Sequence, residues 1–155
     1  MRVTRKESRM SEIMINGMVR RLTDKDLPSI NDLLIEQRIS PLHISRLPEE
    51  WLLYGAFEED KLIALCGLFC SRRFPHRDYP SGYVAELGAL YTSPAYRNRG
   101  IMTDLIREAL KRIPEDRPGL DALTADSNEM STRLLRKAGF KDAVSGETRL
   151  WLSYS

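Results

Sequence analysis

The segment from Arg97 to Met102 has the residue types and spacing best suited to chemistry. It carries two arginines, Arg97 and Arg99, and a glycine, Gly100, directly before a helical pattern. The start of a helix exposes unpaired amides with partial positive charge, which bind phosphates well. Glycine lets a bulky anion approach the backbone, and arginines add positive charge. The segment therefore predicts a phosphate-binding loop, the alternative being a turn glycine between two solvated arginines.

A predicted strand precedes this loop and a predicted helix follows it, as a phosphate-binding loop requires. The strand covers residues 83–92 and contains an acidic residue, Glu86. Its carboxylate is a candidate general base, because it can accept a proton from a reacting group. In a regular strand Glu86 and Thr92 share one face, whereas a bulge at Gly88 would change that phase. The alternative role for Glu86 is structural, pairing with an arginine or capping the backbone.

Apolar periodicity elsewhere predicts a sheet with helices. One helical run starts at Leu27 and fades near Ser40 and Pro41, and another covers residues 101–113, where Pro114 is expected to end it. A third helix is predicted at residues 129–137, and strands at residues 18–23, 51–57, 61–69, 83–92, 120–125, 141–144 and 147–154. This order indicates the α/β (α+β) class, a mixed sheet layered with helices.

Length and composition are those of one ordinary globular domain, expected over residues 18–155. The chain has 155 residues, 24 of them basic and 22 acidic, a near balance that argues against a dedicated nucleic-acid-binding protein. Residues 1–17 lack any strand or helix period and are expected to form a disordered extension. No apolar run is long enough to cross a bilayer. Cys66 and Cys70 would lie about 13 Å apart along a strand, too far to bridge, which favours reduced thiols and a cytoplasmic location.

The loop and its surroundings resemble the GNAT superfamily of N-acetyltransferases over nearly the whole chain from residue 18. The central motif of that family is a strand, the pattern Pro-x-x-Arg-x-x-Gly-x-Gly/Ala and a helix. Pro94, Arg97 and Gly100 match this pattern, whereas Met102 stands where a second small residue is usual, a departure that would narrow the loop. The opening MVRRLTDKDLPSI resembles the first strand and helix of the family, and residues 128–140 resemble its helix near the coenzyme.

This resemblance implies a mixed, mostly antiparallel sheet flanked by helices, with acetyl-CoA as co-substrate and no metal. It implies direct acetyl transfer, with both substrates bound, to a primary amine of a small molecule or a protein. Glu86 would be the catalytic base, the Thr92 amide would polarise the thioester, and the backbone of residues 90–92 would pair with the pantetheine arm. The implied coenzyme-binding residues are Leu90, Tyr91, Thr92, Arg97, Asn98, Arg99, Gly100, Ile101, Met102, Thr103, Asn128 and Ser131.

Leu135 departs from the family at the position of a tyrosine that serves as general acid beside the coenzyme sulfur. Leucine has no proton to donate, so either the thiolate leaves unassisted or Tyr91, Ser131 or a water molecule substitutes. The departure also leaves an alternative function open, namely a non-catalytic or weakly active acyl-CoA-binding regulatory module.

The acceptor site is expected between the first helical region and the loop after the third strand. Phe74 and Tyr79 are candidate walls of this site, although both aromatic rings could instead cover the core. Other candidates in these segments are His43, His76, Arg77 and Asp78. The expected partner is an amine acceptor rather than a nucleic acid or a membrane, and family habit implies a possible homodimer. The sequence does not select the acceptor.

Overall fold

A seven-stranded mixed sheet forms the centre of the computed structural model. The structure describes residues 18–75, 81–120, 122–125, 133, 136–137, 141–144 and 150–153, so the predicted extension at residues 1–17 lies outside it. The strands are β1 (Val19–Arg21), β2 (Trp51–Glu58), β3 (Lys61–Arg72), β4 (Tyr83–Thr92), β5 (Ala122–Ala125), β6 (Lys141–Val144) and β7 (Leu150–Ser153). Their order across the sheet is β1-β2-β3-β4-β5-β7-β6. Only β4 and β5 pair in parallel, which confirms the mixed, mostly antiparallel sheet.

Two helices cover opposite faces of the sheet, α1 (Leu27–Glu36) and α2 (Ile101–Asp116). Apolar residues of α1 pack with one set of strand residues: Ile30, Leu33 and Leu34 with Leu53, Phe57, Leu62 and Leu65. Those of α2 pack with the other set: Ile101, Leu105, Ile106, Ala109 and Ile113 with Leu52, Tyr54, Cys66 and Leu68. The alternation of side chains along β2 and β3 produces these two core layers.

The first helix ends at Glu36, several residues before the predicted fade near Ser40. The Ile39 amide donates to the Leu34 carbonyl and the Arg38 amide to the Ile35 carbonyl, both at 2.9 Å. This pattern is a Schellman C-cap, with Arg38 in the left-handed region at a φ of 61°. Glycine usually occupies that position, so the sequence carried no stop signal there. The cap fixes the direction in which the last residues of α1 project.

Pro114 does not end α2, contrary to the prediction. The helix continues to Asp116 with Pro114 inside its last turn. Proline removes one amide donor and crowds the preceding turn, but here little helix remains to be disrupted. The end is held by the Arg117 amide, which donates to the Ile113 carbonyl at 2.7 Å, and by the Tyr54 hydroxyl, which donates to Asp116 at 2.6 Å.

Other predictions from the sequence are confirmed in part. Arg133, Arg136 and Lys137 are helical, and the rest of the helix predicted at residues 129–137 lies outside the described residues. In the described part of the chain, no helix is long and apolar enough to cross a membrane. Cys66 and Cys70 are both free and buried, as expected for thiols that do not bridge.

Candidate active site

The site begins where β4 and β5 separate. The two strands pair in parallel from Val84 with Ala122 to Leu87 with Ala125. Among the described residues, no strand pairs with the remainder of β4 on that side. The backbone of residues 88–92 therefore presents an open edge, to which an extended ligand can add as a further strand. The loop of residues 93–100 follows directly from this edge.

A β-bulge interrupts β4 inside this open stretch. Gly88 pairs with Gly67 and Tyr91 with Leu65, so that two residues of β4, Ala89 and Leu90, oppose Cys66 alone. Ala89 has a φ of 51°, in the left-handed region. The extra residue shifts the alternation of side chains from this point onward.

This bulge overturns the expectation that Glu86 and Thr92 share a face. Directly paired residues of neighbouring strands lie on the same side of a sheet. Glu86 pairs with Phe69 and lies on the α1 side, whereas Thr92 pairs with Ala64, whose side chain belongs to the core layer under α2. Gly88 does not itself form the bulge, which starts one residue later.

Glu86 lies within a row of paired residues that crosses the sheet, with Phe69 of β3 on one side and Thr124 of β5 on the other. Trp51 in β2 pairs with Phe69 in β3, and Phe69 pairs with Glu86 in β4. The two aromatic rings meet edge to face, with centroids 5.5 Å apart and an interplanar angle of 88°. A Cβ at Gly88 would lie 3.2 Å from the Phe69 ring, so glycine there makes room for the ring. The Glu86 carboxylate is thus carried beside an aromatic wall.

Six consecutive backbone amides in the loop and the first turn of α2 have no acceptor within the part of the chain that the structure describes. They belong to residues 98–103. The amides just before them, of Tyr96 and Arg97, donate to Ser93 and Pro94, and helical bonding resumes when the Asp104 amide donates to Gly100 at 3.1 Å. Such a run of free amides at a helix start attracts an anion and suits a diphosphate.

Gly100 is required at this site by its conformation and leaves space above it. Its φ is 76°, in the region that L residues rarely adopt, and a Cβ built there would meet no atom of the described residues within 4 Å. Packing inside the protein therefore does not explain the glycine. The open space beside the free amides allows an anion to approach the backbone closely.

Met102 does not narrow the loop. Its side chain is only 8% exposed and belongs to the core layer between α2 and the sheet. The larger residue at this motif position is therefore accommodated in the core, away from the open space beside Gly100.

Comparison with known proteins identifies the family. The model of the acetyltransferase (GNAT) family matches residues 18–140. The chain belongs to this family. No curated protein sequence matches it.

Solved acetyltransferase structures share the fold at low sequence identity. An acetyltransferase from Trypanosoma brucei is 19% identical with a TM-score of 0.62, over 83% of this chain and 95% of that one. A predicted acetyltransferase from Clostridium acetobutylicum, solved with acetyl-CoA, is 18% identical with a TM-score of 0.60, over 83% and 92%. Glucosamine-6-phosphate N-acetyltransferase from Arabidopsis thaliana is 12% identical with a TM-score of 0.62, over 83% and 94%.

The two arginines of the loop, Arg97 and Arg99, have different surroundings. Arg97 is turned toward the protein, where its Nε donates to the Thr92 carbonyl at 3.1 Å and its Nη2 to the Gln37 side chain at 2.6 Å. Arg99 is exposed, with its guanidinium 5.3 Å from the centre of the Tyr96 ring. The sequence grouped both arginines as charges beside the anion. Both are exposed, but of the two only Arg97 is held by side-chain hydrogen bonds among the described residues.

The Thr92 amide points toward the open edge of β4. The next amide, of Ser93, donates to the Ile63 carbonyl of β3 at 2.8 Å. Successive amides of an extended strand point to opposite sides, so the Thr92 amide is directed away from β3. The role predicted for this amide, polarising a thioester, stays a prediction.

Sequence reasoning missed two residues that hold this end of β4. Glu36 and Gln37, at the end of α1, bind Ser93 and the Thr92 carbonyl through their side chains. They lie more than fifty positions earlier in the chain, and no motif connects them to the loop.

Several predicted site residues are not joined to this centre by the structure. Asn128, Ser131 and Tyr79 lie outside the described residues, as does Leu135. Phe74 is described and is 92% exposed, after the end of β3. On the β3 side of Glu86, the aromatic residues in register are instead Phe69, its direct partner, and Trp51, the partner of Phe69.

Proposed function

We propose that this GNAT protein is an N-acetyltransferase that moves an acetyl group from acetyl-CoA directly to a primary amine. The observation that carries the proposal is the run of six free amides at residues 98–103 beside the open edge of β4. The free amides suit a diphosphate, and the open strand edge suits an extended arm that contains amide groups. Coenzyme A contains a diphosphate and such an arm. Family membership and the acetyl-CoA in the Clostridium acetobutylicum structure support the same donor.

The donor is held by backbone groups in this proposal. The amides of residues 98–103 bind the pyrophosphate, and Arg99 adds positive charge. The backbone of residues 90–92 pairs with the pantetheine arm, which directs the thioester toward the bulge. The Thr92 amide then stabilises the negative charge that develops on the thioester oxygen.

Glu86 is the proposed base. An ammonium has no free electron pair, so the acceptor nitrogen transfers a proton to the carboxylate before it attacks the thioester carbon. Attack by the neutral amine forms the carbon–nitrogen bond and a tetrahedral adduct. The carbon–sulfur bond then breaks, its electron pair leaves with the sulfur as a thiolate, and the nitrogen loses its second proton to the thiolate or to solvent. The acceptor approaches from the α1 side of the sheet, where Trp51 and Phe69 form the wall beside the carboxylate.

The alternative is a regulatory acyl-CoA-binding module. Of the two departures from the family pattern, Met102 and Leu135, only Leu135 still supports it. Met102 is explained by its place in the core. Leu135 still removes the usual acid, and the thiolate leaves unassisted or receives a proton from Tyr91, Ser131 or water. Tyr91 lies on the same face as Glu86 because both follow the register of β3 on the α1 side.

Thiol release tests this proposal. The protein is incubated with acetyl-CoA and a panel of amines that includes amino acids, polyamines, amino sugars and peptides with free N-termini. We expect free coenzyme A to appear at a rate that depends on one class of amine, together with a product heavier by one acetyl group. Binding of acetyl-CoA without acetylated product from any amine would favour the regulatory module.

The two cysteine thiols of the protein should not react with the thiol reagent in this assay. Burial raises the pKa of the Cys66 thiol to about 12 and also raises the pKa of the Cys70 thiol. Both groups are therefore protonated near pH 8, and the reactive thiolate is scarce. We expect an aromatic disulfide reagent to label the native protein very slowly and to label both cysteines after denaturation. Fast labelling of the native protein would contradict the burial of these thiols.

A further inference from the structure

A closed ring of hydrogen bonds connects the end of α1 to the coenzyme loop. Gln37 donates from Nε2 to the Thr92 carbonyl at 2.8 Å, and its Oε1 accepts from Nη2 of Arg97 at 2.6 Å. Arg97 closes the ring by donating from Nε to the same Thr92 carbonyl at 3.1 Å. Each polar atom of the Gln37 amide has a partner of matching type, so its orientation is determined by its neighbours.

A second contact beside the ring holds the same two segments together. Ser93, only 1% exposed, donates from its hydroxyl to the Glu36 carboxylate at 2.6 Å. The other carboxylate oxygen of Glu36 lies 3.9 Å from the Lys61 ammonium. Glu36, the last residue of α1, and Gln37 directly after it thus bind Ser93 and Thr92 at the end of β4. We call these four residues and Arg97 the α1–β4 clamp.

The clamp is well placed to set the geometry of the loop. The Schellman cap that ends α1 fixes the direction of the Gln37 backbone, and the Ser93 amide is fixed by its bond to Ile63 of β3. The loop between Ser93 and the free amides contains Arg97. The guanidinium of Arg97 attaches this loop to Gln37, directly after α1. Without the ring, the loop would lose its side-chain connection to Gln37.

We infer that Gln37 is a positioning residue for coenzyme binding, and that Arg97 acts mainly by bracing the loop against Gln37 and Thr92. The inference rests on the proposed function, since it assumes that the free amides bind the coenzyme pyrophosphate. It assigns Arg97 a role that depends on the shape of its guanidinium. A lysine has one charged nitrogen and does not reproduce a fork that donates from Nε and Nη2 to two acceptors.

The same clamp ties the acceptor side of the site to the donor side. The helix α1 covers the face of the sheet on which Glu86 lies, whereas the loop belongs to the donor site. A displacement of the end of α1 would therefore change the loop, and the effect of Gln37 should appear in coenzyme affinity although the side chain never contacts the coenzyme.

Calorimetric titration with coenzyme A tests this inference on Gln37→Leu, Arg97→Lys and the double variant. Each single variant should bind coenzyme A about fivefold more weakly, because a charge-assisted hydrogen bond in a partly exposed network is lost. The double variant should be little weaker than either single variant, since both remove the same ring. With an acceptor present, the Michaelis constant for acetyl-CoA should rise while turnover at saturation changes less than twofold.

Lys111→Gln is the matched control, since it removes an exposed charge on α2 whose partner is Glu108. It should leave coenzyme affinity unchanged. Wild-type affinity in Gln37→Leu and Arg97→Lys, or additive losses in the double variant, would overturn the inference. A wild-type protein that does not bind coenzyme A would instead overturn the proposed function, so the two failures are distinguishable. Melting temperatures of all variants separate loss of the ring from loss of the fold.

Discussion

Glu86→Gln is expected to lower turnover about a hundredfold near pH 7, with a much smaller loss as the pH approaches 10. Glutamine keeps the size of the side chain but cannot accept the proton of an ammonium. An alkyl amine titrates near pH 10, so at high pH the acceptor deprotonates in solution and the base is needed less. The pH–rate profile at saturating acetyl-CoA, measured for both proteins, checks this expectation.

Glu115→Gln is the control for this substitution, because Glu115 is exposed near the far end of α2. It should follow the wild-type profile. An unchanged pH–rate profile in Glu86→Gln would mean that Glu86 has a structural role. A loss of turnover that is equal at every pH would mean that Glu86 contributes to turnover by something other than proton transfer. Coenzyme affinity is expected to stay at the wild-type value, since Glu86 lies on the α1 side of β4.

Gly100→Ala is expected to weaken coenzyme A binding by about tenfold or more, because the added methyl group occupies the space through which the pyrophosphate reaches the amides. The positive φ of Gly100 also makes alanine less stable there by about 1 kcal/mol. Titration calorimetry and thermal unfolding measure the two effects separately.

Gly119→Ala provides a matched control for the backbone strain. Gly119 has a φ of 91°, and a Cβ there would also have no atom within 4 Å in the part of the chain that the structure describes. Both alanine variants should therefore lose similar stability, but only Gly100→Ala should lose affinity for coenzyme A. Equal affinity in the two variants would exclude the loop as the anion site.

The candidate phosphate-binding loop could be located from sequence because its signal is local. A glycine, two arginines and the start of a helix lie within a few positions, and the neighbouring strand and helix have clear periods. The strands around it were found for the same reason. Predicted and observed boundaries differ by a few residues: β3 runs to Arg72, beyond the predicted end at residue 69.

The bulge in β4 could not be located from sequence. Gly88 was the natural candidate, but the residue with positive φ is Ala89, which carries no such signal. Gly88 is instead required by the Phe69 ring from the neighbouring strand. A contact between strands therefore explains the glycine, and the one-residue shift moves Glu86 and Thr92 to opposite faces.

The clamp was equally hidden, because its members are far apart in the chain. Gln37 and Glu36 reach residues 92–97 only after α1 has packed on the sheet. The stop of α1 that places them depends on Arg38 in a conformation usually left to glycine. Neither the end of α1 nor the contact of Glu36 and Gln37 with residues 92–97 produces a periodic pattern in the sequence, so neither could be predicted from it.

The central claim is that the amides at the start of α2 bind the pyrophosphate of acetyl-CoA. A titration with acetyl-CoA, followed by nitrogen–proton correlation spectra of the backbone, tests it most directly. We expect the largest shifts at residues 98–103, with a second group at residues 90–92 along the open edge of β4. Shifts confined to other parts of the chain would contradict the account. So would the absence of shifts at about 1 mM acetyl-CoA, a concentration at which even a weak ligand binds.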